Sequence, residues 1–582
     1  MYKICRNAVY LGVDRFNEND YHLISYLEVD DNGNKKKVSK VIRNYPKTFW
    51  IARKFNRKYK QHKERMHLDD CEQIKCPRFQ MPNIICKRLG LSPKHVQPRQ
   101  ALKSPYVFGT DLSSTAEIKH KFNAKWNPEE KAEFADVAVF DVETNMRDPN
   151  KYNHIDMASL TFKEVVVTAI CRDYFLEYNK NLTDEEIIRT LEKKDNQYLS
   201  EVNQERNIKQ EWYIVDTEVD VLKVIFKRAS ELKPDFITAW NMDFDINRVI
   251  EACERAGIRP EDIIFDPEVP PEFRFFKYDP GPENKVSDKG VFTSLNNYER
   301  WGHVLSATNY YFVDAMTLYY RVRSHLANLP SYSLDYILAE EFPDEITEGM
   351  SEQEIERCRH NSLIRKLKFK EANMFISGTP EWHNFMQTRY PFEYVIYNKF
   401  DCIAIEYLDE QTRDIKLVFP KDCANSDYKS YASGGRILAD NFHWFNLEDG
   451  YAYGTGSSFN VLEYHKRLTK KSGWIIALNS TLFQTNGLNY MEDAPDLPTN
   501  ITQQGADIDV VSSYPKTNES LNTSLETLVR ETIEIQGVPE HDRREAGVNI
   551  LAGFNNALMA TRLLFNGMDV FDMLKEYQKR NT

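Results

Sequence analysis

Four acidic side chains stand where a strand end, a turn and a helix could gather them: Asp141, Glu143, Asp245 and Asp401. The apolar run Val137-Ala138-Val139-Phe140 leads directly into Asp141-Val142-Glu143-Thr144. Residues two apart on a strand share a face, so Asp141 and Glu143 project together while Val142 points to the core. Two carboxylates closing an apolar strand are costly unless something neutralises them. A divalent ion is the natural neutraliser, and an all-carboxylate donor set suits Mg²⁺ or Mn²⁺. A solvent-facing strand end is the alternative.

The second acidic element is Ile237-Thr238-Ala239-Trp240-Asn241-Met242-Asp243-Phe244-Asp245. It reads as a strand running into a tight turn at Asn241, with Phe244 anchoring the turn in the core and Asp245 opening a helix. Asp245 is then either a third ligand or a helix N-cap, and Asp243 a loop acid. The third is Tyr397-Asn398-Lys399-Phe400-Asp401, where a spacing of four puts Tyr397 and Asp401 on one helical face.

The elements that must hold these residues alternate. Short apolar runs at 138–140, 165–167, 212–215 and 236–238 predict strands, and helical periodicity covers 184–192, 219–232 and 246–256. Such alternation predicts an α/β layer architecture around a central sheet. Two more helices are expected at 333–339 and 394–412. Residues 265–303, rich in Pro, Gly and charge, look like an insertion carrying a hairpin. Before this region, residues 1–130 read as a mixed, β-rich N-terminal domain with a turn at Asp31-Asn32-Gly33-Asn34. Beyond Asp414 the pattern looks strand-like and irregular up to a strand at 508–511, followed by a helical tail. The expected division is 1–130, 131–415 and 416–582.

With 582 residues, 41% of them apolar, the chain can build several cores. No apolar run reaches the ~18 residues of a membrane span, so no membrane partner is expected. The nine cysteines have no disulfide rhythm, which suits a reducing cytoplasm, the host's if the chain is viral. His67, Cys71, Cys76 and Cys86 lack the paired spacing of structural zinc sites. A net charge of −12 argues against nucleic acid, yet Lys35 to Arg65 holds thirteen Lys/Arg against one acid, Glu64. Tyr45, Phe49, Trp50, Phe55 and Tyr59 interleave that run, a mixture able to track a backbone and stack bases.

In order and context, the three acidic elements resemble the exonuclease motifs of family B DNA polymerases and their DnaQ-like relatives. Tyr298-Glu299-Arg300-Trp301-Gly302, Tyr310 to Tyr319 and Tyr332-Ser333-Leu334-Asp335-Tyr336 look like the matching segments of T-even phage polymerases. The resemblance spans roughly residues 1 to 520. It implies an RNase H-like exonuclease domain at 131–415 and two Mg²⁺ (or Mn²⁺) ions. Asp141 would bridge them, Glu143 and Asp401 would hold one, and Asp245 the other. Tyr397 would orient the attacking water or the scissile phosphate, and Asn241 and Phe244 would meet the terminal nucleotides. The substrate implied is the frayed single-stranded 3′ end of a DNA primer-template, with a strand-separating hairpin at 265–303. The family usually has one more residue between the Asn and the Asp of the second motif, so Asp243 competes with Asp245; Phe244-Asp245 keeps the Phe-Asp match.

Ile508-Asp509-Val510-Val511-Ser512-Ser513-Tyr514-Pro515 resembles the palm motif Asp-x-x-Ser-Leu-Tyr-Pro, with Ser513 for Leu. It implies Asp509 as a metal ligand and Tyr514 as the residue excluding a 2′-OH. No Lys-x-x-x-Asn-Ser-x-Tyr-Gly or Asp-Thr-Asp element follows. The expected protein is the exonuclease-bearing part of a family B polymerase, using dNTPs only if a second chain completes it, with other replisome proteins as further partners. The alternatives are a stand-alone exonuclease or a non-catalytic DNA-binding replisome subunit.

Overall fold

In the computed structural model the described residues are 1–454, apart from 15, 59–64, 93–97, 177–180, 287–289, 291, 344–348, 353–354 and 356–377. Asp509, Tyr514, the strand expected at 508–511 and the helical tail lie outside them.

The chain opens with three antiparallel strands, β1 (Tyr2–Asp14), β2 (Asn19–Val29) and β3 (Lys35–Arg43). Between β2 and β3 the Asp30 carboxylate accepts the backbone N–H of Asn32 and of Asn34, and Gly33 takes the positive φ of 81° that the turn needs. Next come β4 (Lys47–Ala52), β5 (Arg65–His67), β6 (Cys71–Cys76), α1 (Met81–Leu89), β7 (Val107–Phe108) and α2 (Ser114–Trp126). β4 sits between β6 and β7 in a second small sheet. Packing divides the basic run. Lys37 turns inward to Asp235, and Lys47 is buried with its ammonium on the Gly109 carbonyl at 3.1 Å. Phe49 and Trp50 are core residues. Lys36, Lys40, Arg43, Arg53, Lys54 and Lys58 remain exposed, with Phe55 beside them. The basic and aromatic interleaving is therefore a property of the sequence more than of the surface.

The second region is a six-stranded mixed sheet. Its elements in chain order are β8 (Val137–Thr144), β9 (Ile155–Phe162), β10 (Val165–Cys171), α3 (Asp184–Glu205), β11 (Lys209–Val215), α4 (Glu218–Leu232), β12 (Phe236–Ala239) and α5 (Met242–Ala256). An excursion follows through β13 (Phe276–Asp279), β14 (Asn284–Val286), β15 (Phe292–Ser294) and β16 (His303–Ser306) before β17 (Tyr311–Asp314) completes the sheet. The order is β11-β10-β9-β8-β12-β17, and only β9 runs against its neighbours. The expected α/β architecture is present, with β9 and β17 as additional strands. Along β8 the pleat sends Ala138, Phe140 and Val142 into the core under α4 and α5. Asp141 and Glu143 therefore face the opposite side of the sheet.

That side is covered by helices. After β17 come α6 (Ala315–Val322), α7 (Leu334–Glu341), α8 (Pro380–Arg389) and α9 (Pro391–Thr412). α9 packs against β8, β9 and α3, burying Val395, Ile396, Phe400 and Ile403. Its rotation is fixed by Lys399, whose buried ammonium meets Asp195 of α3 at 2.7 Å and Asn203 at 3.0 Å. Past Asp414 the expected strand-like pattern is replaced by helix. Ser433 caps α10 (Gly434–Glu448) by accepting the Arg436 N–H, so Gly434-Gly435-Arg436 begins the helix. α10 leads into β18 (Tyr451–Tyr453), which pairs with β5. Residues 416–454 thus pack back onto the N-terminal region. Among the described residues, no helix is long and apolar enough to cross a membrane.

Candidate metal centre

Asp141 and Glu143 on β8 meet Asp401 on α9. One carboxylate oxygen from each lies within 4.8 Å of the others, and no other set of three such ligands gathers among the described residues. Pleating delivers the first two acids. The third arrives because Tyr394, Tyr397, Asn398 and Asp401 recur at helical spacing along the α9 face turned to the strand end.

Each acid receives a neutral hydrogen bond from that face. Tyr394 Oη donates to Glu143 Oε2, Asn398 Nδ2 donates to Asp141 Oδ2 at 2.6 Å, and the Tyr397 hydroxyl donates to Asp401. No lysine or arginine among the described residues pairs with any of them. Burial pushes the Asp141 carboxyl up to about 7 against the opposing effect of the Asn398 bond. Burial, then the Asp141 charge, drives Glu143 and Asp401 well above the usual carboxylate range. Burial and mutual repulsion thus oppose full ionisation of three close acids in one pocket.

Asp245 is 2% exposed, and its Oδ1 accepts the Val142 N–H at 3.1 Å. Burial and the Asp141 charge raise its carboxyl as well, so it belongs to the same electrostatic pocket while standing outside the tight trio. Asn241 occupies the left-handed region at φ 68°, which asparagine tolerates, and reverses the chain between β12 and α5. The helix starts at Met242, three residues earlier than the sequence suggests. Its buried stripe is Met242, Asp245, Ile246 and Val249. This setting rotates Phe244 outward: it is 37% exposed, under the Arg248 guanidinium at 5.5 Å. The core anchor expected at Phe244 is Met242, and Phe244 is left free to meet a ligand. Asp243 is drawn away from the cluster by Tyr278 Oη, which donates to it at 2.6 Å, and by Asn247 at 3.1 Å.

Several contributors escaped the sequence. Asp314 at the end of β17 ties the second acidic turn, accepting Met242 N–H and Thr317 N–H at 2.9 Å each, and burial raises it to about 6. Helix α8 was not expected at all, yet its Trp382 ring packs edge-on against Tyr397 at 4.9 Å. Tyr394 and Asn398 carried a readable signal, since both share a helical face with Tyr397 and Asp401.

The hairpin expected in 265–303 is present. β14 and β15 pair and are exposed along their length, with Phe292 73% exposed. Its base rests on the β13–β16 pair, whose Tyr278 reaches the first turn of α5. His67, Cys71, Cys76 and Cys86 do not converge: Cys71 packs with Trp50 and Phe108, Cys76 and Cys86 pack with Phe49, and His67 is exposed. No family model matches the chain, and no curated protein matches it.

Proposed function

We propose that the chain is the exonuclease-bearing part of a family B DNA polymerase, removing nucleotides from a single-stranded DNA 3′ end with two divalent ions, Mg²⁺ or Mn²⁺. One observation carries the reading: Asp141, Glu143 and Asp401 converge within 4.8 Å with Asp245 beside them and, among the described residues, no lysine or arginine paired to them. Such a pocket fits divalent ions, because an oxygen-only donor set with uncompensated negative charge is what Mg²⁺ and Mn²⁺ select. The sheet supports an RNase H-like domain: β10-β9-β8-β12-β17 carries a single antiparallel strand, β9, beside the central β8, which bears the first two acids.

Ions bound there would lower the pKa of a coordinated water and stabilise charge on the attacking and leaving oxygens. The chain's own residues supply the rest. Tyr397, half-buried beside Asp401, orients the attacking water or the scissile phosphate through its hydroxyl. Phe244 offers an exposed ring on which a terminal base can stack, and Asn241 lies at the same turn. The exposed β14–β15 hairpin supplies an apolar wedge to hold the frayed strand apart. Asp509 and Tyr514 belong to the polymerase half of the proposal, which needs a second chain carrying the nucleotide-gripping helix and the paired acids before dNTPs could be used.

The test is digestion of 3′-labelled single-stranded DNA. Mg²⁺-dependent shortening from the 3′ end is expected, reduced about a thousandfold in Asp141→Ala; several kcal/mol of lost charge stabilisation correspond to that factor. Folded protein that digests nothing with either ion sinks the proposal.

A further inference from the structure

The hydrogen bonds around Glu143 do not stop at Tyr394. The Tyr394 hydroxyl, which donates to Glu143 Oε2, also meets His383 Nδ1 at 2.5 Å. Burial favours the neutral ring of His383, which also bonds the Gly378 backbone. Its Nδ1 also stands 3.7 Å from Glu143 Oε2, so the ring flanks the carboxylate directly.

His383 sits on α8, and the same helix grips the backbone just beyond Glu143. Gln387 Nε2 donates to the Thr144 carbonyl at 2.7 Å, Gln387 Oε1 accepts Met146 N–H at 2.9 Å, and Asn384 Nδ2 donates to the Met146 carbonyl at 2.6 Å. One short helix thus holds both ends of the problem: the strand that carries Glu143, and the tyrosine that aims its carboxylate. All these donors are neutral. A lysine or arginine in the same place would orient the acid equally well, but would compete with a divalent ion for its charge.

Building on the metal-site reading, we propose that Tyr394 and His383 are positioning residues that hold the Glu143 carboxylate in the rotamer it needs to share an ion with Asp141 and Asp401. Tyr394 fixes the carboxylate, His383 fixes the tyrosine hydroxyl, and α8 fixes His383 against the strand end.

Mn²⁺ binding to the full chain, followed by electron paramagnetic resonance, tests this without relying on activity. Tyr394→Phe keeps the ring and removes only the hydroxyl. It should weaken Mn²⁺ about ten- to a hundredfold, the usual cost of losing an outer-shell partner, and lower kcat on single-stranded DNA by a similar factor with KM changed less than about twofold. His383→Leu should act in the same direction, and His383→Gln, which retains a polar group able to bond the tyrosine hydroxyl, should recover part of the loss. Melting of the metal-free proteins checks that each variant is folded. Wild-type Mn²⁺ affinity and kcat in folded Tyr394→Phe and His383→Leu overturn the inference alone, as does His383→Gln matching His383→Leu. A wild-type chain that takes up no Mn²⁺ overturns the metal-site reading itself.

Discussion

Asp235 and Asp245 flank the same four-residue strand, β12, and both are almost wholly buried. Asp235, at the strand's start, has Lys37 Nζ at 3.0 Å and Arg6 Nε at 3.5 Å, and accepts the Asp136 N–H at 2.9 Å. Burial pushes its carboxyl up, but the two cations outweigh burial and hold it below the ordinary value. Asp245, past the strand's end, feels the Asp141 charge and has no lysine or arginine paired to it among the described residues, and its carboxyl is driven well up. Where the fold uses a buried acid to lock the N-terminal strands onto the sheet, it supplies the counter-charge from its own chain. Where it withholds counter-charge, the charge is left for something that binds. The same helix that gathers the acids sends its lysine, Lys399, from another face to Asp195.

The comparison breaks most visibly by substitution. Asp235→Asn leaves Lys37 and Arg6 buried without a charged partner. It should cost about 3–5 kcal/mol of stability in urea unfolding, the usual penalty for breaking a buried pair from one side. Asparagine at Asp141 removes a repulsion, and the metal-free protein should be at least as stable as wild type. A loss below about 1 kcal/mol at Asp235, or a comparable loss at both positions, erases the distinction.

A smaller effect separates the two regions by pH. In the metal-free protein Asp141 has its folded pKa raised to about 7, and Glu143, Asp245 and Asp401 are raised well above the ordinary carboxylate range. Raised acids bind more protons folded than unfolded, so their contribution is full below about pH 4 and is lost as pH rises through the folded values. Asp235, lowered, has the opposite sign: its contribution is present above the ordinary carboxylate range and is lost on acidification. With EDTA, the melting temperature should fall between pH 5 and pH 8, and Mg²⁺ should restore it at pH 8. A flat profile over that interval, with or without Mg²⁺, removes the uncompensated cluster as its cause.

How much of this was legible beforehand follows from the range of the forces involved. The Asp141–Glu143 pair and the Tyr397–Asp401 pair are spaced by local periodicity, two on a strand and four on a helix, so sequence alone places each on one face. β9 was missed because all eight of its residues are buried, and a continuous run lacks the alternation that marks a half-exposed strand. Lys37 could be counted with its basic neighbours but not paired with Asp235, 198 positions away in the chain. His383 and Gln387 of α8 gain their meaning only where that helix meets the strand end after Glu143. Phe244 was misplaced because a single left-handed residue, Asn241, sets the rotation of the helix that follows.

The finest test concerns the two acids of the second turn. Counting residues makes Asp243 and Asp245, two positions apart, rivals; their surroundings separate them. Asp243 is spoken for by Tyr278 and Asn247 and lies outside the trio's reach, whereas Asp245 is buried against Val142 and feels the Asp141 charge. Asp243→Asn keeps an acceptor for Tyr278, so it should leave Mn²⁺ affinity within about twofold and stability within about 0.5 kcal/mol, as for a surface change. Asp245→Asn should weaken Mn²⁺ by more than about tenfold, the low end for a perturbed metal site. The reverse order in the same titration would make Asp243 the ligand. The Tyr278 bond would then be a resting contact that metal binding has to break, and the base of the hairpin would be coupled to occupancy of the site.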